Sequence, residues 1–199
     1  VIEEDEEKQL VKIGKPVGIV ASLIPSTVPA GVVLLGIMNA VMGRNAMICS
    51  PHPRAKKTTV KVVNDIRELF KRIGVPEDLL LCIEEPSIDK TNELMQKSDL
   101  IVATGGANMV KAAYSSGTPA YGVGAGNVVV TIDETADLKD AANKIAESQL
   151  NDLAIGCSTE YAAVIQEDVY DDTVKSMIEA GAYLCNEEEK RKLQSVLWV

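Results

Sequence analysis

Short apolar, β-branched runs alternate with segments of helical periodicity along most of this chain, and no other feature restricts its fold as much. Val17 to Leu23, Asn45 to Cys49, Leu79 to Ile83, Leu100 to Ala103, Pro119 to Val123 and Val128 to Ile132 read as buried strands. Between them Ala30 to Met42, Arg54 to Ile73, Asn92 to Lys97, Ala107 to Tyr114 and Ala136 to Ser148 read as helices. In the second helix Val60, Val63, Ile66, Leu69 and Phe70 recur at helical spacing, and Gly74 followed by Val75-Pro76 supplies the stop. Strands separated this regularly by helices pair in parallel and bury both faces. The expected fold is therefore α/β, a Rossmann-like, mostly parallel sheet with helices on both faces. A strand at Tyr161 to Ile165 and a helix at Val169 to Ala180 begin a further unit past Cys157.

With 199 residues, a net charge of −9 and 46% hydrophobic content, the chain has the composition of a soluble globular protein. The acidic balance argues against nucleic acid, since phosphate binding needs clustered Lys and Arg, and the one dense basic stretch, Pro53 to Lys61, reads as a helix start. Four cysteines without CxxC spacing and a single histidine indicate neither a disulfide framework nor a metal site. The longest apolar stretch, Ala30 to Met42, is too short to cross a bilayer and carries Asn39. No signal peptide is read, and four free thiols suit a reducing cytoplasm.

In an open parallel sheet, ligands gather where strands end and helices begin. Ile24 to Pro29, Ser50 to Pro53 and Thr104 to Asn108 are loops of that kind. Thr104-Gly105-Gly106 lacks G-x-G-x-x-G spacing and by itself reads as a tight turn, while the glycines from Gly122 to Gly126 lie between two strands and read as a close backbone approach. Cys49 and Cys82 fall inside apolar strands and read as inert, and Cys185 precedes Glu187-Glu188-Glu189, whose charge opposes thiolate formation. Cys157, in Ile155-Gly156-Cys157-Ser158, is the thiol best placed to be an accessible nucleophile, activated by helix N-termini and backbone donors rather than by His52, which reads as a solvent-facing loop residue.

Taken in order, Pro25-Ser26-Thr27-Val28-Pro29, Ser50-Pro51-His52-Pro53-Arg54-Ala55-Lys56-Lys57, Glu84-Glu85-Pro86-Ser87-Ile88, Ala103-Thr104-Gly105-Gly106, Gly122 to Asn127 and Gly156-Cys157-Ser158 resemble the aldehyde dehydrogenase superfamily, specifically its CoA-acylating branch. The resemblance implies an enzyme in which a Cys157 thiolate adds to an aldehyde carbonyl, hydride passes to NAD and an acyl thioester forms on the sulfur. The Glu that activates water in hydrolytic members matches Gly122 here, which makes the thiol of CoA the expected acyl acceptor. Thr27 and the Cys157 backbone N–H are implied to face the oxyanion. Ser50, His52 and Pro53 are implied near the adenosine half of NAD, and Thr104, Gly105, Gly106 and Gly122 belong to the implied cofactor site. The Ser50–Pro53 loop lacks the Lys and Glu with which hydrolytic relatives grip the ribose. Val28 stands where many acylating relatives have Asn, and Asn151-Asp152-Leu153-Ala154 replaces a more usual Asp-Asn-Gly.

On this resemblance residues 1–149 form an NAD-binding domain and 150–199 begin a catalytic thiol domain. Relatives are longer at both ends, so the 199 residues alone are expected to turn over little. The implied reaction converts a short aldehyde, CoA and NAD to acyl-CoA and NADH. Acetaldehyde is favoured, with sulfoacetaldehyde or another short aldehyde the alternative, and an inactive nucleotide-binding module of the same fold a second reading. A homo-oligomer in the cytoplasm or a bacterial microcompartment, with no nucleic acid or membrane partner, completes the expectation.

Overall fold

The computed structural model describes residues 2–124 and 126–197. Ala125, inside the Gly122–Asn127 block, and Val1, Trp198 and Val199, at the outer ends of the two expected domains, lie outside the described residues. The chain divides into two compact units, Val1–Ala125 and Gly126–Val199.

The first unit opens with an antiparallel hairpin of β1 (Glu3–Asp5) and β2 (Leu10–Lys12), which the acidic sequence there did not suggest. Then follow β3 (Ile19–Ile24), α1 (Pro29–Met42), β4 (Ala46–Pro51), α2 (Lys56–Arg72), β5 (Leu80–Cys82), α3 (Ile88–Lys97), β6 (Leu100–Thr104), α4 (Ala107–Tyr114) and β7 (Ala120–Val123). The five strands form the expected parallel sheet in the order β5-β4-β3-β6-β7. Because side chains alternate along a strand, β3 serves two cores. Ile24 packs with Val33 and Ile37 of α1, Val63 and Ile66 of α2, and Met47, Cys49 and Leu80. Ala21 and Leu23 pack with Met95 of α3, Ala113 of α4, Ile101 and Ala103. Met47, Leu80, Met95, Ile101, Val33 and Val63 are fully buried, each contributing roughly 1.5–3 kcal/mol of transfer free energy.

Local signals set the element ends. Pro29 occupies the first turn of α1, where its missing N–H has no intrahelical partner to lose. Pro53–Ala55 form a 3-10 turn, with the His52 ring accepting from the Arg54 N–H at 3.1 Å, so α2 begins at Lys56 rather than Arg54. Ser87 accepts from the Lys90 N–H at 3.2 Å and starts α3 at Ile88, one turn ahead of the expected Asn92. The entry to β3 is held by Asn45 Oδ1, which accepts from the Val17 and Gly18 N–H groups at 2.7 and 3.1 Å, and by Asp99 Oδ2, which accepts from the Ile19 N–H at 2.7 Å.

The second unit contains β8 (Val128–Ile132), α5 (Leu138–Leu150), β9 (Glu160–Ile165), α6 (Tyr170–Glu179) and α7 (Glu187–Leu197). β8 pairs in parallel with β9, with a register irregularity at Val128/Val129, and α5 packs against α6. The compact units divide between 125 and 126, where β8 finds its hydrogen-bonding partner in β9. Helix α7 was not anticipated.

Candidate active site

From β3 the chain adds β4 and β5 on one side, then crosses back to place β6 and β7 on the other. The carboxyl ends of β3 and β6 therefore flank the point where the winding direction reverses, which in such sheets leaves a crevice for ligands. A cleft of about 260 Å3 opens there, lined by Leu23 to Pro25 after β3, Ser50 to Pro53 after β4, Thr104 to Gly106 after β6, Pro86 to Ile88 and Thr91 at the start of α3, and Met109 of α4. Ser50, His52, Pro53, Thr104, Gly105 and Gly106 are thus brought together, although they come from loops far apart in sequence.

Gly122 does not line this cleft. It lies in β7, where its N–H donates to the Tyr114 hydroxyl at 2.9 Å, and a Cβ there would meet Val110 Cγ1 at 2.6 Å and the Tyr114 ring at 2.9 Å. The glycine is required by close packing of α4. Next to it, the Gly105 N–H donates to the Val123 carbonyl at 3.1 Å and ties the cleft loop to β7.

The floor of the cleft is polar at one place. Ser50 and Thr91 are buried at 5% and 6% exposure, with their hydroxyls 2.8 Å apart, and Thr91 also donates to the Ser87 carbonyl at 2.8 Å. His52 is exposed, as read, and its Nδ1 is engaged by the Arg54 N–H. Gly106 caps α4 and Val28 caps α1, neither with a side-chain hydrogen bond among the described residues, so the first-turn N–H groups of both helices, save at Pro29 which has none, lack a capping side chain. Thr27 is exposed in the bend just before α1.

Cys157 belongs to the second unit and is exposed. Its turn is tethered on both sides: the Tyr161 hydroxyl donates to the Ala154 carbonyl, the Gln149 amide donates to the Glu160 carbonyl, and the Thr159 N–H donates to the Gly156 carbonyl at 3.1 Å. Asp152, Leu153 and Ala154 before it hold left-handed φ angles of 51°, 54° and 59°. A strand rather than a helix follows Cys157, so its own segment supplies backbone donors but no helix start. Cys49 is buried, and burial followed by the neighbouring Cys82 raises its pKa. Cys82 is pushed up to about 11 by burial and then by the charge of Glu84. Cys185 is half-buried between α6 and α7. No cluster of three or more potential metal ligands occurs, and no helix is long and apolar enough to cross a membrane, among the described residues.

This fold and these loops define an α/β protein with a cleft at the carboxyl edge of its parallel sheet and an exposed cysteine, and comparison with known proteins places it: residues 1–191 match the aldehyde dehydrogenase family, and the chain belongs to that family. It is 44% identical over 198 residues to an Acholeplasma sulfoacetaldehyde dehydrogenase, a match covering 100% of this chain and 41% of the relative. The structure of an acetylating aldehyde dehydrogenase from Geobacillus thermoglucosidasius superposes with a TM-score of 0.92 at 44% identity, covering 100% of this chain and 44% of that one. A Rhodopseudomonas palustris propionaldehyde dehydrogenase, solved with bound CoA and an acylated cysteine, superposes with a TM-score of 0.87 at 31% identity over 93% of this chain and 43% of that one. The chain spans less than half the length of each of these relatives.

Sequence reasoning missed Ser87, Thr91 and Met109 as cleft residues. A usable signal existed for two of them. Ser87 with Asp89 in the following turn is an N-cap pattern, and starting the helix there puts Thr91 one turn along, on the face carrying Met95.

Proposed function

We propose that the protein carrying this chain oxidises a short-chain aldehyde to an acyl-CoA, with Cys157 as nucleophile and the cleft at the β3–β6 crossover as the NAD site. The observation that carries the reading is the convergence of Ser50, His52, Pro53, Thr104, Gly105 and Gly106 on one cleft at the carboxyl edge of the sheet. The cleft suits a dinucleotide: apolar walls from Ile24, Pro86, Ile88 and Met109, buried hydroxyls on the floor, and the start of α4, without a capping side chain, just beyond Gly106. In this assignment the sheet-bearing part of residues 1–149 binds NAD, and 150–199 begins the thiol domain.

The Cys157 sulfur adds to the aldehyde carbon, and the Thr27 hydroxyl and Cys157 N–H meet the charge that develops on oxygen. The chemistry supplied by bound NAD is acceptance of the hydride that leaves this adduct. Cys157 then carries a thioester. Gly122 offers no carboxylate to activate water, so the CoA sulfur displaces the Cys157 thiolate and acyl-CoA leaves. Acetaldehyde is the favoured substrate, with sulfoacetaldehyde or another short aldehyde the alternative. The work-up of the reaction is direct: aldehyde, CoA and NAD should give NADH and acyl-CoA in equal amounts, Cys157→Ala should abolish both, and acyl-CoA formation at a near-normal rate in that variant would overturn the nucleophile assignment. A homo-oligomer in the cytoplasm or a microcompartment is part of the same proposal.

A further inference from the structure

The turn that carries Cys157 is held by few contacts, and one of them comes from an irregularity in the strand that follows. In the β8–β9 ladder Val128 lies opposite Glu160 but Val129 lies opposite Ala162, so Tyr161 is the extra residue of a β-bulge and has no partner of its own in β8. A bulge releases a side chain from the regular alternation of its strand and re-aims it. The exposed Tyr161 donates its phenol proton to the carbonyl of Ala154, seven residues earlier. Among the described residues no other side chain hydrogen-bonds residues 151–158. Ala154 closes the left-handed run of Asp152, Leu153 and Ala154, a conformation that L residues adopt only where their surroundings impose it. The exposed Leu153 gives that run little packing. The next anchor is Thr159, which is 4% exposed and whose N–H donates to the Gly156 carbonyl at 3.1 Å. Cys157 therefore sits between two fixed points, Ala154 under the Tyr161 hydroxyl and Thr159 at the entry to β9, while the Gln149 amide ties the Glu160 carbonyl to α5.

We propose that Tyr161 is a positioning residue for Cys157: by holding the Ala154 carbonyl it fixes the left-handed run, and with it the place from which the sulfur meets the aldehyde. The inference rests on Cys157 as the nucleophile and names what aims it. The Tyr161 proton is given to a backbone carbonyl, so the residue acts through the turn rather than on the substrate. Binding does not need the clamp, but the bond-forming step does, because a displacement of about 1 Å at the attacking atom can cost on the order of 10²-fold in rate.

Variants of the protein carrying this chain test this, read by NADH formation from aldehyde and NAD before CoA is added. Tyr161→Phe, which keeps the ring and removes the donated proton, should slow that step about tenfold or more at saturating aldehyde, with KM for the aldehyde within about twofold of wild type. Hydrogen exchange should rise at the amides of residues 152–158 and stay as in wild type in α5, α6 and the rest of β9. Tyr161→Leu should lose as much rate as Tyr161→Phe. A wild-type rate or unchanged exchange at 152–158 in Tyr161→Phe, or a loss confined to Tyr161→Leu, would overturn the positioning role while leaving the nucleophile standing. Faster exchange throughout residues 126–197 in Tyr161→Phe would overturn it as well, since the hydroxyl would then hold the fold rather than the turn. Near-normal NADH formation by Cys157→Ala would overturn the nucleophile reading and this inference with it.

Discussion

The N–H of Gly122 donates to the phenol oxygen of Tyr114 across 2.9 Å, and the space that a side chain at 122 would take is filled by that ring and by Val110. On the proposed reading Gly122 stands where hydrolytic relatives carry their glutamate, and that place is occupied as well as vacated. Helix α4 has been packed down onto β7 where a carboxylate would otherwise stand.

Reinstating the acid should therefore fail. Gly122→Glu is expected to cost about 1–3 kcal/mol by overpacking and to produce no CoA-independent carboxylic acid. Adding Tyr114→Ala should recover part of the stability. Thermal unfolding and product analysis without CoA check both; acid release from Gly122→Glu alone at the CoA-dependent rate would show that the side chain finds room.

Gly18 is the second glycine with a specific reason. Its φ is +122°, and an added Cβ would collide with the Asp99 carboxylate that receives the Ile19 N–H. Gly18→Ala should destabilise by about 1–3 kcal/mol, read from a urea midpoint at unchanged slope. Unchanged stability would mean that Asp99 does not hold the entry to β3.

Cysteine reactivity should separate cleanly by burial. At pH 8, alkylation followed by peptide mass spectrometry should find Cys157 first, Cys185 more slowly, and Cys49 only after unfolding. Cys82, pushed up to about 11, should react only in strongly alkaline solution. Its folded pKa lies above the ordinary value of 9.0, so the neutral thiol is preferred in the fold. That stability is fully present below pH 9 and is lost as pH climbs from there through about 11, by at most roughly 2–3 kcal/mol. Cys82→Ala should flatten the alkaline limb of the stability curve; an unchanged limb would assign it to other groups.

Leu153 is 83% exposed with φ 54°, in a left-handed run shared with Asp152 and Ala154. An L side chain there costs about 1–2 kcal/mol, and no packing is lost by removing it. Leu153→Gly should raise the unfolding temperature by a few degrees even against the larger entropy of its unfolded chain. A lowered temperature would contradict the left-handed turn that leads into Cys157.

Much of this was legible before any coordinates. Val60, Val63, Ile66, Leu69 and Phe70 declare α2 through their spacing, and the structure buries Val63 and Ile66 on that face. Ala107–Tyr114 and Val128–Ile132 fall where their patterns put them. Helix α7 was overlooked although Asn186 and Glu189 form a reciprocal cap, with Asn186 Oδ1 accepting from the Glu189 N–H at 3.0 Å and Glu189 Oε2 accepting from the Asn186 N–H at 2.8 Å. Its surroundings are polar, so hydrophobic periodicity does not mark it.

The sequence by itself determined the strands and helices from β3 to α6, that the strands of the five-stranded sheet run parallel, and which thiol could be reached, because side-chain period, turn residues and apolar content are local properties of the chain. Only the tertiary structure decided the strand order that puts β6 beside β3, the partnership of β8 with β9 instead of the five-stranded sheet, the meeting of Ser50 with Thr91, and the packing of Tyr114 over Gly122. Those are contacts between residues distant in the chain. They are settled by which faces must be buried together, and no local pattern records that choice.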